Sequence, residues 1–261
     1  MKKNLFYSFL VLFFAIAACQ SSGQKSKDGN KNQDGIETGA LSNENILSEN
    51  ELSDGWVLLF DGKTSDGWRG ANKDHFPAVW KVVDGTIYCE GGVREPGITD
   101  DGDILYEKKF KNFHLKMEWK VGAEGNSGIF YLAREVPGWP LYKAAPEMQL
   151  LDNTVLPDAP AEHKAGSLYD LVAANPQNTK PAGEWNSVEI ICNEGDVVHK
   201  QNGETILEYQ LWTEKWNKMI ADSKFYQETN PDFYKVAKEG FIGLQDHGDD
   251  VWFRNIKIKE L

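Results

Sequence analysis

Cysteine is scarce in this chain, at three of 261 residues. So few thiols cannot build a disulfide framework, and their spacing gives no zinc-site pattern. Cys89 and Cys192 sit inside apolar runs and read as buried free thiols in preference to a disulfide, the alternative an oxidising envelope would allow, while Cys19 stands apart near the N-terminus. Long apolar runs are missing after residue 18, so nothing in the body has the length to cross a bilayer as a helix. Basic residues are the minority charge, 28 against 40 acidic, for a net charge of −12. A surface of that sign repels nucleic acid and polyanionic glycans and argues against both as partners. Phosphate loop, dinucleotide fingerprint, heptads and internal repeats are all lacking, and Gly166-Ser167-Leu168 does not complete a nucleophile elbow.

What is present begins with an address. Lys2 and Lys3 precede an apolar stretch from Leu5 to Ala18, and Ile16-Ala17-Ala18 leads into Cys19. The stretch suits a signal-peptide core better than a membrane span. Its ending resembles a bacterial lipobox, in which the cysteine becomes the lipidated first residue. Residues 1–18 are therefore expected to be a lipoprotein signal peptide and Cys19 the lipidation site. The location expected is the cell envelope, with the lipid as the only membrane contact. Removing residues 1–18 takes away two lysines and no acid, leaving 26 basic against 40 acidic residues, a net −14. Residues 19–51, rich in Ser, Gly, Asn, Lys, Asp and Gln, read as a flexible tether that buries too little apolar surface to order itself.

Residues 52–261 carry all nine tryptophans and read as one all-β domain. Short runs rich in β-branched and aromatic residues recur, bounded by Gly, Asp, Asn or Pro: 56–60, 80–83, 86–89, 113–121, 128–132, 147–151, 187–192, 196–201, 204–210, 240–245 and 251–258. Asp84-Gly85 and Asn202-Gly203 predict tight hairpins. One helix is expected with Asn230 as its cap, Pro231 at its first position and Gly240 at its exit, and a further short helical segment within 211–225.

Alternation sorts the strand residues into faces. Leu115, Met117 and Trp119 share one face, and His114, Lys116 and Glu118 the other. Met148 and Leu150 oppose Glu147 and Gln149; Ile242 and Leu244 oppose Gln245 and His247. If the three strands lie side by side, Glu118, Glu147, Gln149, Gln245 and His247 line one surface. An ordinary solvent-facing sheet shows the same alternation, but a strand running into His247-Gly248 is well placed to present an imidazole, the side chain that titrates most easily near neutrality. Asp152, His163, Tyr169 and Asp170 lie on or beside a long connection between residues 151 and 185, of a length usually tied to function. Glu147, Asp152, His163 and His247 are of the residue types that hold divalent cations, so a metal ion is a candidate cofactor, although the spacing is not diagnostic. Asn126-Ser127-Gly128 reads as a turn entering a strand.

The order of several short motifs resembles the 3-keto-disaccharide hydrolase domain family. They are Trp56-Val57-Leu58-Leu59-Phe60-Asp61-Gly62 with Gly67-Trp68, Glu118-Trp119-Lys120, Gly125-Asn126-Ser127-Gly128-Ile129, Glu147 to Asn153, Gly183-Glu184-Trp185-Asn186, Leu244 to Gly248, and Phe253-Arg254-Asn255-Ile256. The resemblance covers residues 52–261. It implies a concanavalin-like jelly roll of two curved antiparallel sheets, and cleavage of 3-keto-glycosides. Leu132 departs from the arginine some relatives carry after the Asn-Ser-Gly strand.

The reaction this implies is removal of the C2 proton, acidified by the C3 ketone, expulsion of the C1 substituent, and hydration. It needs a base, an acid and a stabiliser for the enolate. His247 or Glu147 is the candidate base, with the other or Asp152 as acid; Gln149, Gln245 or a metal would stabilise the oxyanion. Glu118, Tyr169, His163 and Asn126 are candidate substrate contacts. Conventional glycoside hydrolysis by Glu118 and Glu147 would instead require a fixed carboxylate separation. A carbohydrate-binding lipoprotein without catalysis, or a structural envelope protein, would use the same fold.

Overall fold

The computed structural model describes residues 44–92, 100–155, 157–225 and 236–261. Two antiparallel sheets dominate. In chain order the strands are β1 (Val57–Leu58), β2 (Trp68–Gly70), β3 (Trp80–Val83), β4 (Thr86–Cys89), β5 (Ile104–Phe110), β6 (Phe113–Val121), β7 (Asn126–Ala133), β8 (Glu147–Leu151), β9 (Asn186–Asn193), β10 (Asp196–Gln201), β11 (Glu204–Gln210), β12 (Gly240–Leu244) and β13 (Val251–Glu260). The larger sheet runs β11-β10-β9-β6-β13-β4-β3, with β1 also pairing to β13; the smaller runs β2-β5-β12-β7-β8. The fold is all-β, a jelly-roll sandwich with two α-helices among the described residues, α1 (Glu49–Ser53) and α2 (Glu214–Asp222).

The core lies between the sheets. Leu115, Met117, Trp119, Val188, Ile190 and Phe253 from the larger sheet meet Ile129, Met148, Leu150, Ile242 and Leu244 from the smaller. Burying each such side chain contributes about 1.5–3 kcal/mol before entropy is counted. A second apolar cluster of Leu105, Phe130, Ala133, Leu141, Ala145 and Phe241 covers part of the smaller sheet's other face. This two-sided cover explains why β8 and β12 are buried along their whole length, as strands covered on both faces are. It also means that polar side chains on the outer face of this sheet sit in a recess.

The two expected hairpins form. Asp84 and Gly85 (φ 48° and 72°) and Asn202 and Gly203 (φ 50° and 86°) are left-handed at both central positions, which the strand twist favours and Asx-Gly tolerates. Glu194 and Gly195 (φ 51° and 97°) make the same turn without an Asx signal. Cys89 and Cys192 are buried on β4 and β9. Since β6 and β13 lie between those strands, the cysteines are three strand spacings, about 14 Å, apart across the sheet; Cys89 is also level with Val121 and Cys192 with Phe113, at opposite ends of β6, so the sulfurs are much too far apart to bridge.

Several expectations need correction. Residues 44–51 are docked and do not belong to a loose tether. The Asn45 backbone N–H donates to Asn255 Oδ1 at 2.6 Å, its side chain donates to the Gly85 carbonyl at 2.8 Å, and α1 follows with a Ser48–Glu51 capping box. The helix expected from Asn230 falls mainly outside the described residues, and Gly240 opens β12 instead of ending a helix. The signal peptide and Cys19 also lie outside the described residues. β2 and β5 were not anticipated. Glu107-Lys108-Lys109 interrupts β5, which is buried only at its ends. Leu132, which stands where some relatives carry an arginine, is fully buried.

Candidate active site

The recess on the outer face of the smaller sheet is a cleft of about 620 Å³. Three adjacent strands supply its floor. β12 runs into Gln245, β7 starts at Asn126, and β8 carries Glu147 and Gln149. Gly128 makes this floor workable: a Cβ there would stand 2.3 Å from Glu147 Oε1, so only a glycine leaves the carboxyl its place across β7. Tyr169 arrives by backbone pairing. The Gln149 N–H donates to the Ser167 carbonyl (3.0 Å), the Gly166 N–H to the Gln149 carbonyl (2.7 Å), and the Tyr169 N–H to the Glu147 carbonyl (3.0 Å). The long connection thus adds a short strand-like edge beside β8 and fixes Tyr169 on the cleft wall. Lys224, just beyond α2, reaches the same wall: its ammonium donates to Tyr169 Oη at 3.0 Å and lies 3.5 Å from Asp170 Oδ1.

Glu147 is only 6% exposed. Burial pushes its carboxyl up to about 8, and the negative charge of Asp103 adds to the rise, while Lys224 and a hydrogen bond from Gln245 pull back less strongly. The group is therefore a protonated acid at neutral pH, held so by desolvation. Asp103 is itself buried and pushed up to about 6 by desolvation, although its oxygens accept the backbone N–H groups of Leu141 (3.0 Å) and Asp246 (3.1 Å). Burial would lower the Lys224 ammonium, but its bond to Tyr169 and the charge of Asp170 raise it overall, so it stays charged.

His247 is set by a chain of hydrogen bonds. Gln149 Nε2 donates to Asn126 Oδ1 (3.2 Å), which leaves Asn126 Nδ2 to donate to His247 Nε2 (3.3 Å). His247 Nδ1 then donates to Asp249 Oδ2 (3.3 Å), which also accepts the Asn126 N–H (3.2 Å). An amide N–H can only donate, so this network assigns the proton to Nδ1 and the lone pair to Nε2. The contacts are long, of the kind that tighten when substrate binds. The cleft thus pairs a neutral carboxylic acid with an imidazole whose Nε2 lone pair is held only by the long contact from Asn126.

Of the sequence candidates, Glu147, His247, Gln149, Gln245, Asn126 and Tyr169 come together. Three do not. Glu118 belongs to β6 in the other sheet, where it accepts from Arg254 Nε at 2.7 Å; alternation gives a side chain's face but not its sheet. A Glu118–Glu147 carboxylate pair is thereby excluded. Asp152 caps the turn after β8, accepting from Thr154 Oγ1 (2.7 Å), the Thr154 N–H (3.1 Å) and the Glu124 N–H (3.1 Å). Burial alone would raise Asp152, yet these bonds hold it below the usual carboxylate range, which unsuits it as an acid. His163 stands behind the wall, stacked on Tyr169 with centroids 5.0 Å apart and bonded to Asp170 Oδ1 at 2.6 Å. Nor do the four candidate metal ligands converge: among the described residues no group of three His, Cys, Asp or Glu side chains is placed to hold one ion. Tyr142, Lys143, Lys224 and Phe225 line the cleft unanticipated, and Asp249 buttresses His247 from outside that lining. Only Asp249 carried a signal, two residues beyond the imidazole.

An antiparallel jelly-roll sandwich with a buried carboxyl, an imidazole and amides gathered in one sheet-face cleft is the architecture of carbohydrate-active β-sandwich proteins, and the relatives decide the class. Residues 55–259 match the model of the 3-keto-alpha-glucoside-1,2-lyase-like domain, and the chain belongs to that family. A protein of Bacteroides thetaiotaomicron named 3-keto-disaccharide hydrolase is 43% identical, the match covering 99% of each chain. Two solved structures from Parabacteroides distasonis, both candidate glycosyl hydrolases, share the fold. One is 33% identical with a TM-score of 0.74, over 84% of this chain and 99% of the other. The second is 26% identical with a TM-score of 0.60, over 79% and 99%. The chain is a glycoside-cleaving enzyme.

Proposed function

We propose that the enzyme cleaves 3-keto-glycosides by proton abstraction at C2, elimination at C1 and hydration. The observation that carries this reading is the pairing of a neutral Glu147 carboxyl with an unprotonated His247 Nε2 in one cleft. His247 Nε2 takes the C2 proton, and the C–H electrons form the enolate. The enolate re-forms the C3 ketone as the C1–O bond breaks, giving a C1=C2 double bond. Glu147 gives its proton to the departing oxygen. The Glu147 carboxylate then takes a proton from water attacking C1, and the imidazolium returns one to C2. Both groups end as they began.

The enolate oxygen needs a donor. The Lys224 ammonium on the cleft wall and the amides of Gln149 and Gln245 are the groups placed to serve. Neutral carboxylic acids held by apolar surroundings serve such chemistry elsewhere. Asp249 would steady the imidazolium. The test is a substrate deuterated at C2. A primary isotope effect on aglycone release supports the route; equal rates together with release from the unoxidised glycoside would overturn it.

The signal-like segment and Cys19 support a lipid-anchored place in the cell envelope. Incorporation of labelled palmitate that disappears in Cys19→Ala is the expected result, and retained label would refute it.

A further inference from the structure

Tyr169 stands beside the buried acid. Leu168 bridges to Met148, and the Tyr169 N–H donates to the Glu147 carbonyl at 3.0 Å. Residues opposed in this way send their side chains to the same face, and Met148 and Leu168 both go into the core. Tyr169 and Glu147 therefore rise side by side into the cleft that both line.

The direction of the phenol proton follows from what surrounds the oxygen. The Lys224 ammonium donates to Tyr169 Oη at 3.0 Å and lies 4.2 Å from the ring centroid, so it approaches the oxygen from over the ring face. An ammonium has donors alone, so it uses a lone pair of the oxygen and cannot take the hydroxyl hydrogen. That hydrogen lies in the ring plane by conjugation, and among the described residues nothing accepts it. The rest of the wall holds the ring still. His163 stacks on it with centroids 5.0 Å apart, and Asp170 Oδ1 accepts from His163 Nε2 at 2.6 Å and lies 3.5 Å from Lys224 Nζ. One carboxylate thus ties the backing of the ring to its cation. A hydroxyl that accepts from a cation donates more strongly in turn, and such a donor counts most where negative charge develops.

We propose that Tyr169 is a catalytic residue whose hydroxyl donates to the C3 oxygen as the enolate forms, and that Lys224 acts through it as a positioning residue. Glu147 then attends the C1 oxygen and Tyr169 the C3 oxygen of the same ring. The phenol keeps its proton throughout: its hydrogen bond tightens while the C3 oxygen carries the charge and relaxes when the ketone re-forms. This assignment rests on the cleavage reading above and names the donor which that reading requires.

The experiment uses 3-keto-1,5-anhydroglucitol, which has the acidic C2 hydrogen but no leaving group. In heavy water the enzyme is expected to exchange that hydrogen for deuterium, followed by NMR; exchange needs the base and the enolate donor and no acid for a leaving oxygen. Tyr169→Phe keeps the ring and its stacking and removes the oxygen. Its exchange rate and its kcat for aglycone release from a 3-keto-glycoside are expected to fall together by about 10²–10³-fold, the usual worth of one oxyanion donor, with KM changed far less. Lys224→Met is expected to slow the otherwise unaltered enzyme but to add little in the Tyr169→Phe background, because its effect passes through the phenol. Unchanged exchange in Tyr169→Phe, or losses from the two changes that multiply, would overturn the assignment while leaving the cleavage reading standing. Failure of the unaltered enzyme both to exchange the probe and to cleave a keto-glycoside would overturn the reading and the assignment together.

Discussion

Replacing Glu147 by glutamine should stabilise the protein while disabling it. The folded carboxyl is pushed from 4.5 up to about 8 by burial and by the charge of Asp103. Between those values the folded chain keeps a proton that the unfolded chain has released. Its contribution is therefore fully present below about 4.5 and is lost progressively as pH rises towards 8. At about 1.4 kcal/mol per pH unit, the wild type loses roughly 3 kcal/mol from this group by pH 7. Glu147→Gln fits the same space and cannot ionise, so it escapes that loss. For a domain of this size the gain corresponds to a Tm increase on the order of 6–12 °C at pH 7, shrinking towards zero near pH 4.5. Thermal unfolding of both proteins from pH 4.5 to 8.5 measures the difference directly. Parallel Tm profiles, or a variant less stable at high pH, would refute the claim that the native site holds this carboxyl neutral. Turnover of a keto-glycoside should fall in the same variant by about 10²–10⁴-fold, the usual worth of a positioned proton donor.

Three further outcomes follow from the site geometry. Gly128→Ala, at a position whose backbone accepts any residue but whose Cβ would meet Glu147 Oε1 at 2.3 Å, should displace the acid and cost on the order of 10²-fold in kcat; unchanged kinetics would show that the carboxyl's place is unimportant. Asp103→Asn removes a negative charge that raises Glu147, so the alkaline limb of the pH–rate profile should move to lower pH; a static limb would sever the coupling. Glu118→Ala should leave turnover intact and change stability by about 1 kcal/mol or less, because Glu118 and its partner Arg254 both lie on the larger sheet, away from the cleft, with kinetics and thermal melts as the readouts.

How far the sequence reached depends on the kind of information each element carries. Strands β6 and β8 were legible to the residue, because alternation and flanking turn residues are local properties. β5 was not, since a run of three exposed charged side chains follows two adjacent buried residues and leaves no period to read. Glu147, Gln149, Gln245 and His247 were found as the polar faces of strands with apolar backs. Glu118 passed the same test and failed in space, because pairing order decides which sheet a strand joins and alternation is blind to it. Tyr142, Lys143, Lys224 and Phe225 come from a 3₁₀ turn and from the chain just beyond α2. Such wall residues are placed by long-range packing and leave no periodic trace. Asp152 misled for the opposite reason: a carboxylate after a strand is as often a turn cap as an acid, and here three donors occupy it.

The central claim is that the ketone makes the glycoside labile in this cleft. Aglycone release by the purified enzyme from a 3-keto-glycoside, set against its unoxidised parent, tests it most directly. The account predicts release from the keto form alone, because only there is the C2 proton acidic enough for the His247 imidazole to remove. Equal release from the parent glycoside would contradict it.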